Sequence, residues 1–296
     1  MKKLAVVVAA LLIIGAPAYW WLLVESAQPT GTFELDLAEL RTLADALPGE
    51  KPKAIRVEHV AGFEFPGIAV FAGDSWATTK MPVFSYQLAF DDRTALIDTA
   101  MDAQTAKSES APYFDEAAFT RLTAAMERAD FIVVTHEHFD HLGGASTFAK
   151  VNELKLKLTK AQLSDPTKQK PLRLPEQISA SLDYERAVAL APGVVAWKAP
   201  GHTPGSQLVF VKRADGEEFL FLGDVAWHQQ NWQQVHERAR LVTQFFLGED
   251  RDAVLRQLAA IKALAAAEPK LHVVPGHDGP AVDALISAGL LVPKFE

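Results

Sequence analysis

The segment Val133-Val134-Thr135-His136-Glu137-His138-Phe139-Asp140-His141-Leu142-Gly143-Gly144 decides how the rest of the chain is read. An apolar, strand-like stretch ends at Thr135, and four side chains able to bind a metal then fall within the six residues 136–141. Alternate residues of extended chain point the same way, so His136 and His138 can share one centre while Asp140 and His141 turn toward a second. Three later segments repeat the pattern of a ligand beside glycine just after a predicted strand. Pro200-Gly201-His202-Thr203-Pro204-Gly205 presents His202 on a turn, Leu222-Gly223-Asp224 ends a strand in a carboxylate, and Pro275-Gly276-His277-Asp278 supplies another histidine. One such histidine alone reads as structural. Five of the nine histidines at strand ends, together with two aspartates, read as a metal site.

Composition narrows the chemistry. The chain has 296 residues, 49% of them hydrophobic and 22% charged, which is ordinary for a globular protein with a real core. Its net charge of −8 disfavours nucleic-acid binding through a broad cationic face. Cysteine is absent, which removes disulfides, thiolate ligands and thiol nucleophiles. Any metal must therefore be held by histidine and carboxylate, a donor set that suits zinc first, with iron or manganese as alternatives.

At the N-terminus, Lys2 and Lys3 precede an uncharged run from Leu4 to Val24. As a helix those residues would span about 31 Å, close to a hydrocarbon core. The expectation is an N-terminal hydrophobic helix over 1–25 that anchors an exported, periplasmic-facing protein to the inner membrane, with Tyr19, Trp20 and Trp21 in an interfacial belt. The competing reading is a signal peptide cleaved after Ala16-Pro17-Ala18, giving a soluble periplasmic protein. Cleavage there would leave Tyr19-Trp20-Trp21-Leu22-Leu23-Val24 exposed, which favours the anchor.

Residues 26–54 read as a connector with one amphipathic helix carrying Leu37, Leu40, Leu43 and Leu47, and 55–296 as a single catalytic domain. Strands are expected at Ile68–Phe71, Val83–Phe90, Ala95–Asp98, Phe131–Thr135, Leu154–Leu158, Val194–Lys198, Gln207–Val211, Phe219–Leu222 and Leu271–Val274. Helices are expected near Glu116–Arg128, Gly144–Val151 and Asp252–Ala267. Hairpins mixed with single helices point to an α/β (α+β) chain in layers of helix, sheet, sheet and helix.

From about Val57 onward, these motifs resemble the metallo-β-lactamase superfamily. The resemblance implies a four-layer αββα sandwich with two metals at one sheet edge. It implies that His136, His138 and His202 hold the first metal, that Asp140, His141 and His277 hold the second, and that Asp224 bridges them. Asp140 and Asp224 are the candidate catalytic carboxylates. Asp98, in Leu96-Ile97-Asp98-Thr99, matches an early strand-end aspartate that orients a ligand histidine. The implied reaction is hydrolysis, in which a metal-bridging hydroxide attacks a carbonyl or phosphoryl group.

Within the superfamily, lactamases with a cysteine ligand are excluded by composition, those with an all-histidine second site usually lack the aspartate found at Asp224, and nucleases fit poorly with an exported acidic chain. Met81-Pro82-Val83-Phe84-Ser85-Tyr86-Gln87-Leu88 followed by Leu96-Ile97-Asp98-Thr99-Ala100-Met101 looks like the opening hairpin of N-acyl homoserine lactonases. The Ala199–Ser206 segment fits both those and glyoxalase II thioesterases. One departure stands out: lactonases place a tyrosine three residues after the bridging aspartate, and here Trp227 stands there. Indole offers an N–H donor and no ionisable hydroxyl. Trp227 is expected to wall an apolar acyl pocket, and His228 is a second pocket candidate. Lactone or ester hydrolysis of a small molecule leads. Thioester, β-lactam or phosphodiester hydrolysis follows, then a metal-holding binding protein without turnover, then a redox variant with one iron on His136, His202 and Asp224. A homodimer is left open.

Overall fold

The computed structural model describes residues 14–164, 174 and 178–296. Among these, one sheet contains β1 (Ala54–Pro66), β2 (Thr78–Ala89), β3 (Thr94–Ile97), β4 (Tyr113–Phe114), β5 (Phe131–Val133), β6 (Leu156–Lys157) and the C-terminal β12 (Val292–Pro293). Its order is β12-β1-β2-β3-β5-β6, with β4 also paired to β1. The second sheet holds β7 (Ala187–Ala191), β8 (Val194–Lys198), β9 (Gln207–Lys212), β10 (Glu218–Phe221) and β11 (Leu271–Val274), in the order β11-β10-β9-β8-β7.

Period-two alternation gives each sheet two apolar faces. In β3, Ala95 and Ile97 point between the sheets toward Val133, Val209 and Phe221. Leu96 points outward onto Leu122, Ala125 and Met126 of the helix Glu116–Arg128. In β9, Val209 and Val211 face inward, whereas Leu208 and Phe210 face Leu37 and Leu40 of the helix Leu37–Ala44 and Leu258 and Ile261 of the helix Arg251–Ala267. The result is helix, sheet, sheet, helix. Each of these three helices starts on an aspartate whose side chain accepts a backbone N–H of the first turn: Asp36, Asp115 and Asp250.

Several local expectations change. The strand expected at Ile68–Phe71 is a short helix, Gly67–Val70, because Pro66 ends β1 and the amides of Gly67 and Ile68 donate to Ala77 O and Ser75 O across a turn. The amphipathic helix stops at Ala44, so Leu47 lies beyond it and is exposed. The helix expected over Gly144–Val151 is one turn, Gly143–Ser146, followed by a 3₁₀ turn at Val151–Glu153. The long strand β1 is absent from the sequence expectation, since its alternation shifts phase at a bulge between His59 and Ala61. Of the expected N-terminal anchor or signal, residues 4–13 lie outside the described residues. Residues 14–24 are helical, widening at Trp20–Val24, and no described helix is long and apolar enough to cross a membrane.

Candidate metal centre

Every ligand candidate leaves a strand at one edge of the sandwich. The loop after β5 carries His136, His138, Asp140 and His141; the β8–β9 connection carries His202; Asp224 follows β10 and His277 follows β11. Parallel pairing of β3 with β5 and of β10 with β11 brings these ends to the same side. Two glycines let the segments close up. Gly223 has φ +50°, and a Cβ there would stand 2.6 Å from Thr135 Cβ. A Cβ on Gly276 would stand 2.6 Å from Asp224 Oδ1.

The side chains converge in two overlapping sets. His136, His138, His202 and Asp224 form one; His141, Asp224 and His277 form another, with Asp140 beside His136 and His141, and the ligand atoms of each set lie within 4.8 Å of one another. Asp224 divides its oxygens between the two. Its Oδ2 is 3.7 Å from His136 Nε2 and 3.4 Å from His202 Nε2, while its Oδ1 is 3.2 Å from His141 Nε2 and 3.1 Å from His277 Nε2. Asp140 Oδ2 is 3.8 Å from His141 Nε2 and 3.6 Å from His277 Nε2. Ligands about 2.0–2.1 Å from a tetrahedral ion stand roughly 3.3 Å apart, so this spacing accommodates one.

Hydrogen bonds on the far side of each ring set which nitrogen faces the centre. His141 Nδ1–H donates to Asp98 Oδ2 at 2.8 Å, and His277 Nδ1–H donates to Pro82 O at 2.9 Å. His202 Nδ1–H donates to Glu249 Oε1 at 2.5 Å. Thr135 gives its hydroxyl proton to Asp98 Oδ2, so its oxygen accepts from His136 Nδ1 at 3.2 Å. Each of these four rings then turns its Nε2 inward. His138 instead presents Nδ1, 3.0 Å from His202 Nε2. Lone pairs so close repel unless a cation or proton lies between them. Among the described residues, His136 Nε2, His141 Nε2 and Asp224 Oδ1 are buried with no hydrogen-bond partner, as groups reserved for a metal would be.

Protonation behaviour agrees. Burial holds His136 and His138 well below the ordinary histidine range, reinforced by neighbouring histidines. Burial also opposes charge on His141, yet Asp140, Asp224 and Asp98 together hold it well above that range. His277 is raised in the same way, chiefly by Asp224 against burial. Asp224 is pushed well below the usual carboxylate range because His277, His141 and His136 outweigh its burial. Carboxylates crowd the His141/His277 side, and positive charge is favoured there.

Asp98 ties the site to the sheet. Its Oδ1 accepts Thr135 N–H at 2.6 Å, and it adopts φ +62°, a left-handed conformation that aspartate tolerates better than most residues. Other supporting residues escaped the sequence reading. Glu137 accepts from Thr203 Oγ1 at 2.8 Å and Gly205 N at 3.0 Å, clamping the His202 turn to the first ligand loop. Its place inside the motif was the available signal. Glu249 and Arg238 form a buried ion pair behind His202, and Arg238 also donates to Asp224 O at 2.9 Å. Nothing local in the sequence marks them.

A cavity of about 860 Å³ opens over the centre, with His138, Asp140, Asp224 and His277 on one side and Phe63, Phe65, Met81, Phe139, Trp227 and Phe245 among its apolar lining. Trp227 does line this space, stacked on Phe65, and its indole N–H donates to Asp224 Oδ2 at 2.7 Å. His228 does not line it. Its backbone leaves Trp227 extended, and the half-buried ring lies near Asp278 at the start of the helix Gln229–Gln234.

Residues 78–277 match the family model described as the metallo-beta-lactamase superfamily. The chain belongs to that superfamily. It is a metal-dependent hydrolase, and the metallo-beta-lactamase fold implies divalent metals at the His/Asp site described above. Similar curated proteins include an N-acyl homoserine lactonase of Bacillus sp, 24% identical over 219 residues that cover 67% of this chain and 82% of the relative. A second, from Bacillus cereus, is 24% identical over 221 residues with the same coverage. Among solved structures, an N-acyl homoserine lactone hydrolase with N-hexanoyl-L-homoserine at its catalytic metal centre aligns with a TM-score of 0.65 and 18% identity, over 79% of this chain and 96% of that one. A probable metal-dependent hydrolase from Staphylococcus aureus aligns at 0.59 and 12% identity, over 77% of this chain and 91% of that one.

Proposed function

We propose that this metallo-beta-lactamase superfamily member opens a lactone, or cleaves a related ester, of a compound bearing an apolar acyl chain. The observation that carries this reading is the joining of the ligand cluster to the aromatic wall in one cavity of about 860 Å³, within the range of small-molecule sites. The names of the similar lactonases support the choice of ester chemistry. Two divalent ions, zinc before iron or manganese, would supply a nucleophile from water at neutral pH and polarise the carbonyl oxygen.

The chain's own residues do the rest. His136, His138 and His202 would hold one ion, Asp140, His141 and His277 the other, and Asp224 both. Asp98, Pro82, Thr135 and Glu249 keep the rings aimed, so little reorganisation is needed when substrate arrives. The Trp227 N–H occupies one acceptor position of Asp224 Oδ2 and so fixes that carboxylate's rotation. The ring face, stacked on Phe65, contributes apolar surface that excludes water from the acyl chain.

The test is hydrolysis of long-chain acyl homoserine lactones by the zinc-loaded protein, followed by mass spectrometry, with Asp224→Ala alongside. Ring opening that disappears in the variant is the expected result. A fully metallated protein that leaves lactones intact would overturn the reading and direct assays to thioesters, β-lactams and phosphodiesters.

A further inference from the structure

Of the eleven exposed large apolar side chains among the described residues, six aromatic ones come from three stretches that meet near the cavity. Tyr19, Trp20, Trp21, Trp76, Phe245 and Phe246 are all exposed, Trp76 at 63% and Phe246 at 64%. Two contacts among them link three separate parts of the chain. Trp21 meets Phe245 edge-on with ring centroids 6.2 Å apart, and Trp76 Nε1 donates to the Tyr19 hydroxyl at 3.3 Å. Gly73 N donates to Leu23 O at 2.8 Å, which fixes the loop before Trp76 against the N-terminal segment. Arg240 lies over the Trp21 ring at 4.7 Å and pairs with Glu25, so these two charges neutralise each other. Phe245 and Phe246 also line the cavity, which places the patch at the cavity mouth.

We infer that this aromatic collar docks the mouth of the cavity onto a lipid bilayer surface, so that an amphiphile enters acyl chain first from the bilayer. Three observations favour lipid over a protein partner. Tyrosine and tryptophan, each with an apolar body and one polar atom, make up four of the six rings, the composition that suits the boundary between headgroups and hydrocarbon. The helical residues 14–24 end in the patch, and in sequence the uncharged run containing them extends back to Leu4 with Lys2 and Lys3 beyond it. The charges that lie against the Trp21 ring, Arg240 and Glu25, are paired with each other, which leaves apolar surface as what the rings offer. The docking rests on the patch alone, whereas entry acyl chain first rests on the proposed reading of the site.

The absence of cysteine allows a direct test on the full chain. A nitroxide is placed at Phe246→Cys, and separately at Lys270→Cys, an exposed position at the start of β11, the opposite end of the strand that leads to His277. Vesicles of phosphatidylcholine with phosphatidylglycerol are then added. At position 246, collisions with oxygen should rise several-fold and collisions with a water-soluble nickel chelate should fall several-fold, with neither changing at 270. Unchanged accessibility at 246 overturns the inference, whether the chain sediments with the vesicles or remains free. Dipolar broadening between labels at 246 without vesicles would assign the patch to a second copy of the chain. A label at 246 already shielded from both reagents in buffer would assign it to the upstream segment.

Discussion

The two walls of the cavity are built differently. On the ligand wall, His136, His138, His141, His202, Asp224 and His277 are all at most 5% exposed, and four of the five rings are held from behind by another group. They leave strands whose positions the sandwich core dictates. On the opposite wall, Phe65 and Phe63 extend from the far end of β1, and Phe245 and Phe246 sit on the helical turn Leu241–Leu247, with Phe245 52% exposed. That wall is made of stacked rings with few directional bonds. The proposed function puts chemistry on the rigid side and shape selection on the adaptable side, because directional bonds fix atoms while apolar contact tolerates repacking.

The sharpest test of the rigid wall is Asp224→Ala. It removes the carboxylate whose two oxygens divide between the ligand sets, so hydrolysis should fall on the order of 10³-fold or more, with metal content reduced by elemental analysis. Next is Asp98→Asn, which keeps a residue that tolerates the left-handed backbone but removes the carboxylate behind His141. Metal affinity should drop roughly 10–100-fold in a chelator competition. Glu249→Gln weakens the support of His202 and leaves Arg238 buried without its counter-charge. A stability loss of about 3 kcal/mol in denaturant unfolding is expected, together with weaker metal retention.

On the adaptable side the effects should be smaller. Trp227→Phe keeps the apolar wall and deletes the N–H to Asp224, so metal content should hold while kcat falls about tenfold, the loss expected for one hydrogen bond to a charged group of roughly 1.5 kcal/mol. Phe245→Ala should raise KM for long acyl chains a few-fold and leave short-chain turnover nearly unchanged, since it removes apolar contact alone. If Phe245→Ala depleted metal as strongly as Asp98→Asn, the division between the walls would be broken.

Legibility in the sequence follows the same division. The ligand candidates could be read because metal chemistry demands particular atoms, and glycines beside strand ends mark where they leave the sheet. The central strands are equally plain where a short apolar run stands between turn residues, as in β8, β9 and β11. The strand β1 was hidden by its bulge, and Ile68–Phe71 looked extended although hydrogen bonds to Ser75 and Ala77 curl that region into a turn. Trp227 reads from the sequence as a pocket residue, but its bond to Asp224 depends on the rotation of both side chains, which spacing along the chain does not fix. Glu249 lies 47 positions from His202 and Pro82 lies 195 from His277, distances over which no local pattern operates.

By itself, then, the sequence determined the donor types, the ligand loops and the layered alternation of apolar faces, all properties of residues close together in the chain. Only the tertiary structure decided which nitrogen each ring presents, how Asp224 divides its oxygens, and where the aromatic collar assembles. Those depend on contacts between strand ends and loops far apart in sequence, whose mutual placement is set by packing the two sheets face to face.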